Sequence, residues 1–246
     1  MKVIVVANWK MNPPSVSEAK RLFAATKKLS LARKNIVFMV APPALYVREL
    51  AALARTGLQV GVQHAHYESE GAHTGDISID QAKDAKASFL LIGHAERRAL
   101  GETNADINRK LLVALEKGMT PILCVGEDKR TIAGEYFDTV KTQLRAALSG
   151  VPTHKLSRIY IAYEPVWAIG ATTAMKPRDM HEMSIFIRKT LVEQFGEAAH
   201  TVSVLYGGAV DGTNAPSMLS EGDVRGFLVG RSSVDVQKLK DLVASL

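Results

Sequence analysis

The chain has 246 residues, 47% of them hydrophobic and 23% charged, a balance that fits one globular domain spanning residues 1–246. Its formal charge of +6 suits anionic small molecules, and its basic residues are spread over helical segments without clustered aromatics, which argues against nucleic-acid binding. The apolar runs are far too short to cross a membrane, and MKVIVV enters a strand-like run with no cleavage pattern behind it, so neither a membrane span nor a signal peptide is expected.

In chain order, the first apolar, β-branched run is 3–7, followed by Asn8-Trp9-Lys10. Ser15 and Glu18 have the spacing of a helix-capping box. Runs 36–41 and 58–62 come next, the latter followed by Gln63 and a long polar loop, 64–76. Ser78 and Gln81 repeat the capping-box spacing. Run 89–92 leads into Gly93-His94-Ala95-Glu96-Arg97-Arg98, and Gly118 suits a helix end. Run 121–125 precedes Gly126-Glu127, and its Cys124, the only cysteine, reads as a buried thiol of a reducing cytoplasm. Run 159–163 precedes Glu164-Pro165. Pro177 suits a first helical turn, Met183, Ile187, Leu191 and Phe195 share one helical face, and Gly196 suits its end. Run 202–206 precedes Gly207-Gly208, and run 227–229 precedes Gly230-Arg231.

Most of these eight runs are continuously apolar, as strands buried on both faces of a parallel sheet are. Eight strand–helix units with no linker point to an α/β fold, the (βα)₈ barrel. No GxGxxG follows the first run, which argues against an open dinucleotide-binding sheet.

Barrel active sites form at the C-terminal ends of the strands, and the polar residues after these runs would converge there. Glu164, after a buried strand and before Pro165-Val166-Trp167, a stretch not expected to start a helix, reads as a base made usable by desolvation. His94 stands where a strand gives way to a helix, whose N-terminus disfavours the imidazolium and leaves a neutral hydrogen-bond donor. Lys10 supplies positive charge for an oxyanion, and Glu96 is placed to pair with it. Gly207, Gly208 and Gly230 allow backbone to approach a phosphate in the loops after the seventh and eighth strands. No cofactor is required. His64, His66 and His73 lie in a polar loop without diagnostic ligand spacing, so no metal is assigned.

The segments ANWKMN (7–12), GHAERR (93–98), CVGE (124–127), AYEPVWAIG (162–170), YGGAV (206–210) and GFLVG (226–230) resemble, in order and spacing, the signatures of the triosephosphate isomerase family. The resemblance implies interconversion of dihydroxyacetone phosphate and glyceraldehyde 3-phosphate, in glycolysis and gluconeogenesis, in the cytoplasm. It implies Glu164 as base, His94 as electrophile, Lys10 and Asn8 at the enediolate, and Glu96 behind the lysine. It implies a phosphate cradle around Gly170, Ala209, Gly230 and Arg231. It also implies a closing lid of Pro165, Val166, Trp167, Ala168, Ile169, Gly170, Ala171, Thr172, Thr173, Ala174 and Met175, latched by Tyr206. Finally, it implies a homodimer formed through loop 64–76, with Thr74 at the tip.

The chain departs from the family pattern at several of these positions. Ala95 and Ala209 stand where serines are usual, Thr172 and Arg231 where glycines are, and Thr173-Ala174-Met175 replaces the usual hinge. Arg231 and the altered lid leave open an isomerase of a four-carbon ketose phosphate, and the positive charge leaves open a non-catalytic binding role on the same scaffold.

Overall fold

The computed structural model describes residues 2–130, 134–169 and 174–246. Its strands are β1 (Val3–Asn8), β2 (Ile36–Ala41), β3 (Leu58–Val60), β4 (Phe89–Ile92), β5 (Thr120–Val125), β6 (Tyr160–Tyr163), β7 (Ser203–Tyr206) and β8 (Gly226–Val229). All pair in parallel, in the order β3-β2-β1-β8-β7-β6-β5-β4. The outer pair, β3 and β4, is joined by backbone bonds from Ser88 N–H to Val60 O (2.8 Å) and from Val62 N–H to Phe89 O (3.0 Å), which close the barrel. The (βα)₈ expectation is met.

The continuous apolar runs follow from this closure, because each strand has two dry faces. Ile4, Val6, Phe89, Leu91, Ile122 and Cys124 fill the barrel interior. Their neighbours Val5, Leu90 and Leu123 point outward, into the larger core shared with the helices. Several strand limits differ from the apolar runs. β3 stops at Val60 because Gly61 lies against β4, where a Cβ would come within 2.5 Å of Phe89, and Val62 continues only as a single bridge to Leu90. β8 starts one residue early, at Gly226, where a Cβ would stand 1.9 Å from Ile4 O.

The helices are α1 (Val16–Ala32), α2 (Val47–Leu53), α3 (Ile79–Asp84), α4 (Ala95–Ala99), α5 (Asn104–Glu116), α6 (Glu135–Ala147), α7 (Pro177–Phe195), α8 (Ala215–Glu221) and α9 (Val236–Ala244). Ser78 and Gln81 form a complete capping box on α3, with bonds of 2.9 and 3.1 Å. Ser15 supplies half of one on α1, accepting from Glu18 N–H at 3.3 Å. α7 opens on Pro177, buries Met183, Ile187 and Leu191, and ends at Gly196. Among the described residues no helix is long and apolar enough to cross a membrane.

Candidate active site

The residues after the strands meet at one end of the barrel, around a cleft of about 760 Å³ lined by Asn8, Lys10, His94, Glu164, Ala209 and Gly230, among others. Asn8 ends β1, and its Oδ1 accepts from Lys10 N–H at 3.1 Å. Lys10 has a φ of 52°, a left-handed conformation that costs a non-glycine residue about 1–2 kcal/mol. Gln63 holds it there: the Gln63 amide donates to Lys10 O at 2.7 Å and to Ala41 O at 2.9 Å, joining the ends of β1 and β2. The Lys10 ammonium meets Glu96 Oε1 at 2.5 Å, the pairing anticipated for these two.

Gly93, with a φ of 72°, turns the chain from β4 into α4, and His94 caps that helix. The His94 Nδ1 accepts from Glu96 N–H at 3.2 Å. A nitrogen that accepts a backbone N–H carries no proton, so the ring is neutral and presents Nε2–H to the cleft. That Nε2 lies 3.2 Å from Glu164 Oε1.

Glu164 follows β6, its N–H donating to Val125 O at 2.8 Å, and its side chain is buried. Glu164 Oε2 accepts from Ala95 N–H at 2.9 Å. Burial pushes its carboxyl above the usual range, partly opposed by that N–H and by the Lys10 charge. Two glycines make room for it. A Cβ on Gly126 would stand 1.8 Å from Glu164 O, and one on Gly207 would stand 2.9 Å from Glu164 Cγ. Cys124 is buried in the barrel beneath, its thiol pushed up by burial and by the nearby Glu164.

Pro165 does start a helix, contrary to expectation. Val166–Ala168 make one 3₁₀ turn, with Ala168 N–H donating to Pro165 O at 2.8 Å. A proline fixes its φ near the helical value and its carbonyl is free to accept, which suffices for a single turn. The buried Glu127 ties this turn down. Glu127 Oε1 accepts from Trp167 Nε1 and from the Tyr163 hydroxyl, both at 2.8 Å, and Glu127 O accepts from Val166 N–H at 3.0 Å. Burial and the adjacent carboxylate push the Tyr163 hydroxyl far up. Further along the chain Met175 N–H donates to the Tyr206 hydroxyl at 3.4 Å, and burial pushes that hydroxyl up to about 12. Ile169 and Ala174 line the cleft. Gly170, Ala171, Thr172 and Thr173 lie outside the described residues.

On the cradle side, Ala209, Gly230 and Arg231 line the cleft. Ser232 Oγ donates to Val210 O at 3.0 Å, joining the loops after β7 and β8, and Asn214 Nδ2 donates to Ala209 O at 3.1 Å within the first of them. Gly208 is required by Tyr206, whose hydroxyl oxygen would stand 2.3 Å from a Cβ there.

Three supporting residues had no role assigned from sequence: Gln63, Glu127 and Arg98. Arg98 braces the turn before His94, donating to Gly93 O, Asn104 Oδ1 and Cys124 O. Gln63 and Glu127 stood on the strand-end rim in the sequence, and Glu127 also closed the CVGE segment. The loop histidines take separate places. His64 is enclosed near Lys110 and Arg97, and burial together with those charges lowers its pKa to about 4. His66 stacks on His73 at 3.8 Å, near Glu68. One ligand atom from each of His66, Glu68 and His73 lies within 4.8 Å of the others, a spacing that could hold a metal ion.

A buried carboxylate facing an imidazole, with an ammonium on the same rim, is an arrangement that can move protons on a small anionic molecule. Comparison with known proteins narrows the class. The triosephosphate isomerase family model matches residues 3–246, and the chain is 37% identical over 249 residues to the triosephosphate isomerase of Aquifex aeolicus (strain VF5), covering 100% of each chain. The chain therefore belongs to the triosephosphate isomerase family, and its reaction interconverts dihydroxyacetone phosphate and glyceraldehyde 3-phosphate. A match along the full length favours this reaction over a four-carbon substrate or a non-catalytic role.

Proposed function

We propose that Glu164 is the base that removes a proton from the carbon beside the substrate carbonyl and returns it to the neighbouring carbon. The single observation that carries this is the 3.2 Å approach of its carboxylate to the neutral His94 ring inside one cleft. His94 Nε2–H polarises the carbonyl oxygen, and Lys10, steadied by Asn8, Gln63 and Glu96, stabilises the enediolate charge. Backbone of Gly170, Ala209, Gly230 and Arg231 holds the phosphate. The lid from Pro165 to Met175 folds over it, excluding water and suppressing loss of phosphate from the enediolate. Ala95 N–H now occupies one Glu164 oxygen, so the carboxylate gives up that bond as it turns to the substrate.

The working unit is a homodimer in the cytoplasm, with loop 64–76 inserted beside Lys10 and His94 of a second copy. Two features support the dimer: residues 68–76 stand exposed, and Met11, next to Lys10, is 93% exposed although apolar. The reading is tested by a coupled assay on glyceraldehyde 3-phosphate with the parent chain and Glu164→Gln. Turnover by the parent and its loss in the variant are expected; full activity in the variant overturns the assignment. An active monomer in sedimentation overturns the dimer.

A further inference from the structure

The cleft is larger than its reaction needs. At about 760 Å³ it falls in the range of roughly 300–1,000 Å³ that holds drug-sized ligands, whereas the substrate is a single phosphorylated triose. Its lining includes Thr213 from the loop after β7, Arg231 after β8, and Lys238 and Asp241 of α9.

Two cations there have no directly contacting partner among the described residues, although the Asp235 carboxylate, which caps α9, feels the Lys238 charge. Among the described residues, neither the Arg231 guanidinium nor the Lys238 ammonium has a hydrogen bond or ion pair, although both line the cleft. Lys10 on the same rim is paired with Glu96, and Arg188 with Asp223. The acids nearby are engaged elsewhere. Asp211 Oδ1 accepts from Thr213 N–H, Thr213 Oγ1 and Asn214 N–H, and Asp241 Oδ1 accepts from Gln237 Nε2 at 2.7 Å. The walls are set in advance. Gly212 packs so closely on α9 that a Cβ would stand 2.9 Å from Asp241 O, and Ser232 ties the second wall to Val210. A preformed recess loses little on binding.

We propose that Arg231 and Lys238 form a second anion subsite beyond the phosphate cradle, which takes the distal phosphate of a sugar bisphosphate whose first phosphate sits in the cradle. Such a ligand occupies the cradle with its first phosphate and so competes with the triose. The inference rests on the cleft being the isomerase site, and the test separates the two.

Inhibition of triose isomerisation is measured at fixed ionic strength with fructose 1-phosphate and fructose 1,6-bisphosphate, which differ by one phosphate. The bisphosphate is expected to compete with the triose and to bind about tenfold tighter, the effect of one charge-assisted contact. Lys238→Ala reduces that advantage and Lys238→Glu abolishes it, with fructose 1-phosphate inhibition as the internal reference. Equal inhibition by the two sugars, inhibition by neither, a non-competitive pattern, or an advantage that survives both variants overturns the subsite. Absence of triose turnover in the parent chain overturns the isomerase reading instead.

Discussion

The side of the rim built by β1, β3 and β4 and the side built by β6, β7 and β8 face the same cleft but are made differently. On the first, Lys10, His94 and Glu96 are side chains fixed by other groups: Gln63 holds the Lys10 carbonyl, Glu96 N–H holds the His94 ring, and Arg98 braces the turn before it. On the second, the cleft is lined by glycines, Ala209 and loop backbone held by Ser232 and Asn214. Among the described residues, the departures expected from the resemblance fall mostly on the second side: Ala174, Met175, Ala209 and Arg231, against Ala95 alone on the first. Proton transfer needs particular side-chain atoms at particular places, whereas an anion cradle made of backbone N–H groups survives exchange of the side chains above it.

This contrast can be broken by substitution. Glu164→Gln, which removes the one reacting group supplied from the second side, should lower kcat about 10⁴-fold. The same variant carries a pH test. Because burial raises the Glu164 pKa in the folded chain, the folded state holds that proton more tightly than the unfolded state does. The carboxyl therefore favours folding at low pH, and this contribution is lost as pH rises through its folded value. Urea unfolding should show Glu164→Gln gaining on the parent as pH rises above the usual carboxylate range, and kcat/KM of the parent should climb over the same interval. A variant whose stability tracks the parent at every pH would show that the carboxyl is not held uncharged by burial.

Lys10→Met should lower kcat/KM by about 10²–10³, the scale of one preorganised charge. A smaller loss than that from any cradle substitution would reverse the comparison. Glu127→Leu should cost about 1–3 kcal/mol in urea unfolding, chiefly because the buried Tyr163 hydroxyl loses its acceptor. Ala209→Ser tests the tolerant side. A restored hydroxyl bond to the closed lid is worth about 0.5–1.5 kcal/mol, seen as severalfold less phosphate elimination per turnover. No change in elimination would mean that other contacts already close the lid.

Much of this was readable in the chain. Eight apolar runs announce a two-faced parallel sheet, and the polar residues just after several of them mark the rim, where the strand ends meet the cleft. The limits of β3 and β8 were not readable, since they depend on how closely Gly61 and Gly226 approach other strands. The 3₁₀ turn after Pro165 was masked for a similar reason: its stability comes from Glu127, which is distant in sequence. Gln63 and Glu127 could be placed but not interpreted, because their partners are a carbonyl, a phenol and an indole brought together only by closure of the barrel.

The bond between Trp167 and Glu127 has an optical consequence. The chain has two tryptophans, and Trp9 is fully enclosed while Trp167 is 38% exposed on the lid with its indole N–H on a carboxylate. Closure of the proposed lid would change the surroundings of Trp167 and leave the enclosed Trp9 as a constant background. The unlabelled enzyme thus carries its own emission signal for lid position, and titration with a phosphorylated ligand should shift that emission with an amplitude that vanishes in Trp167→Phe.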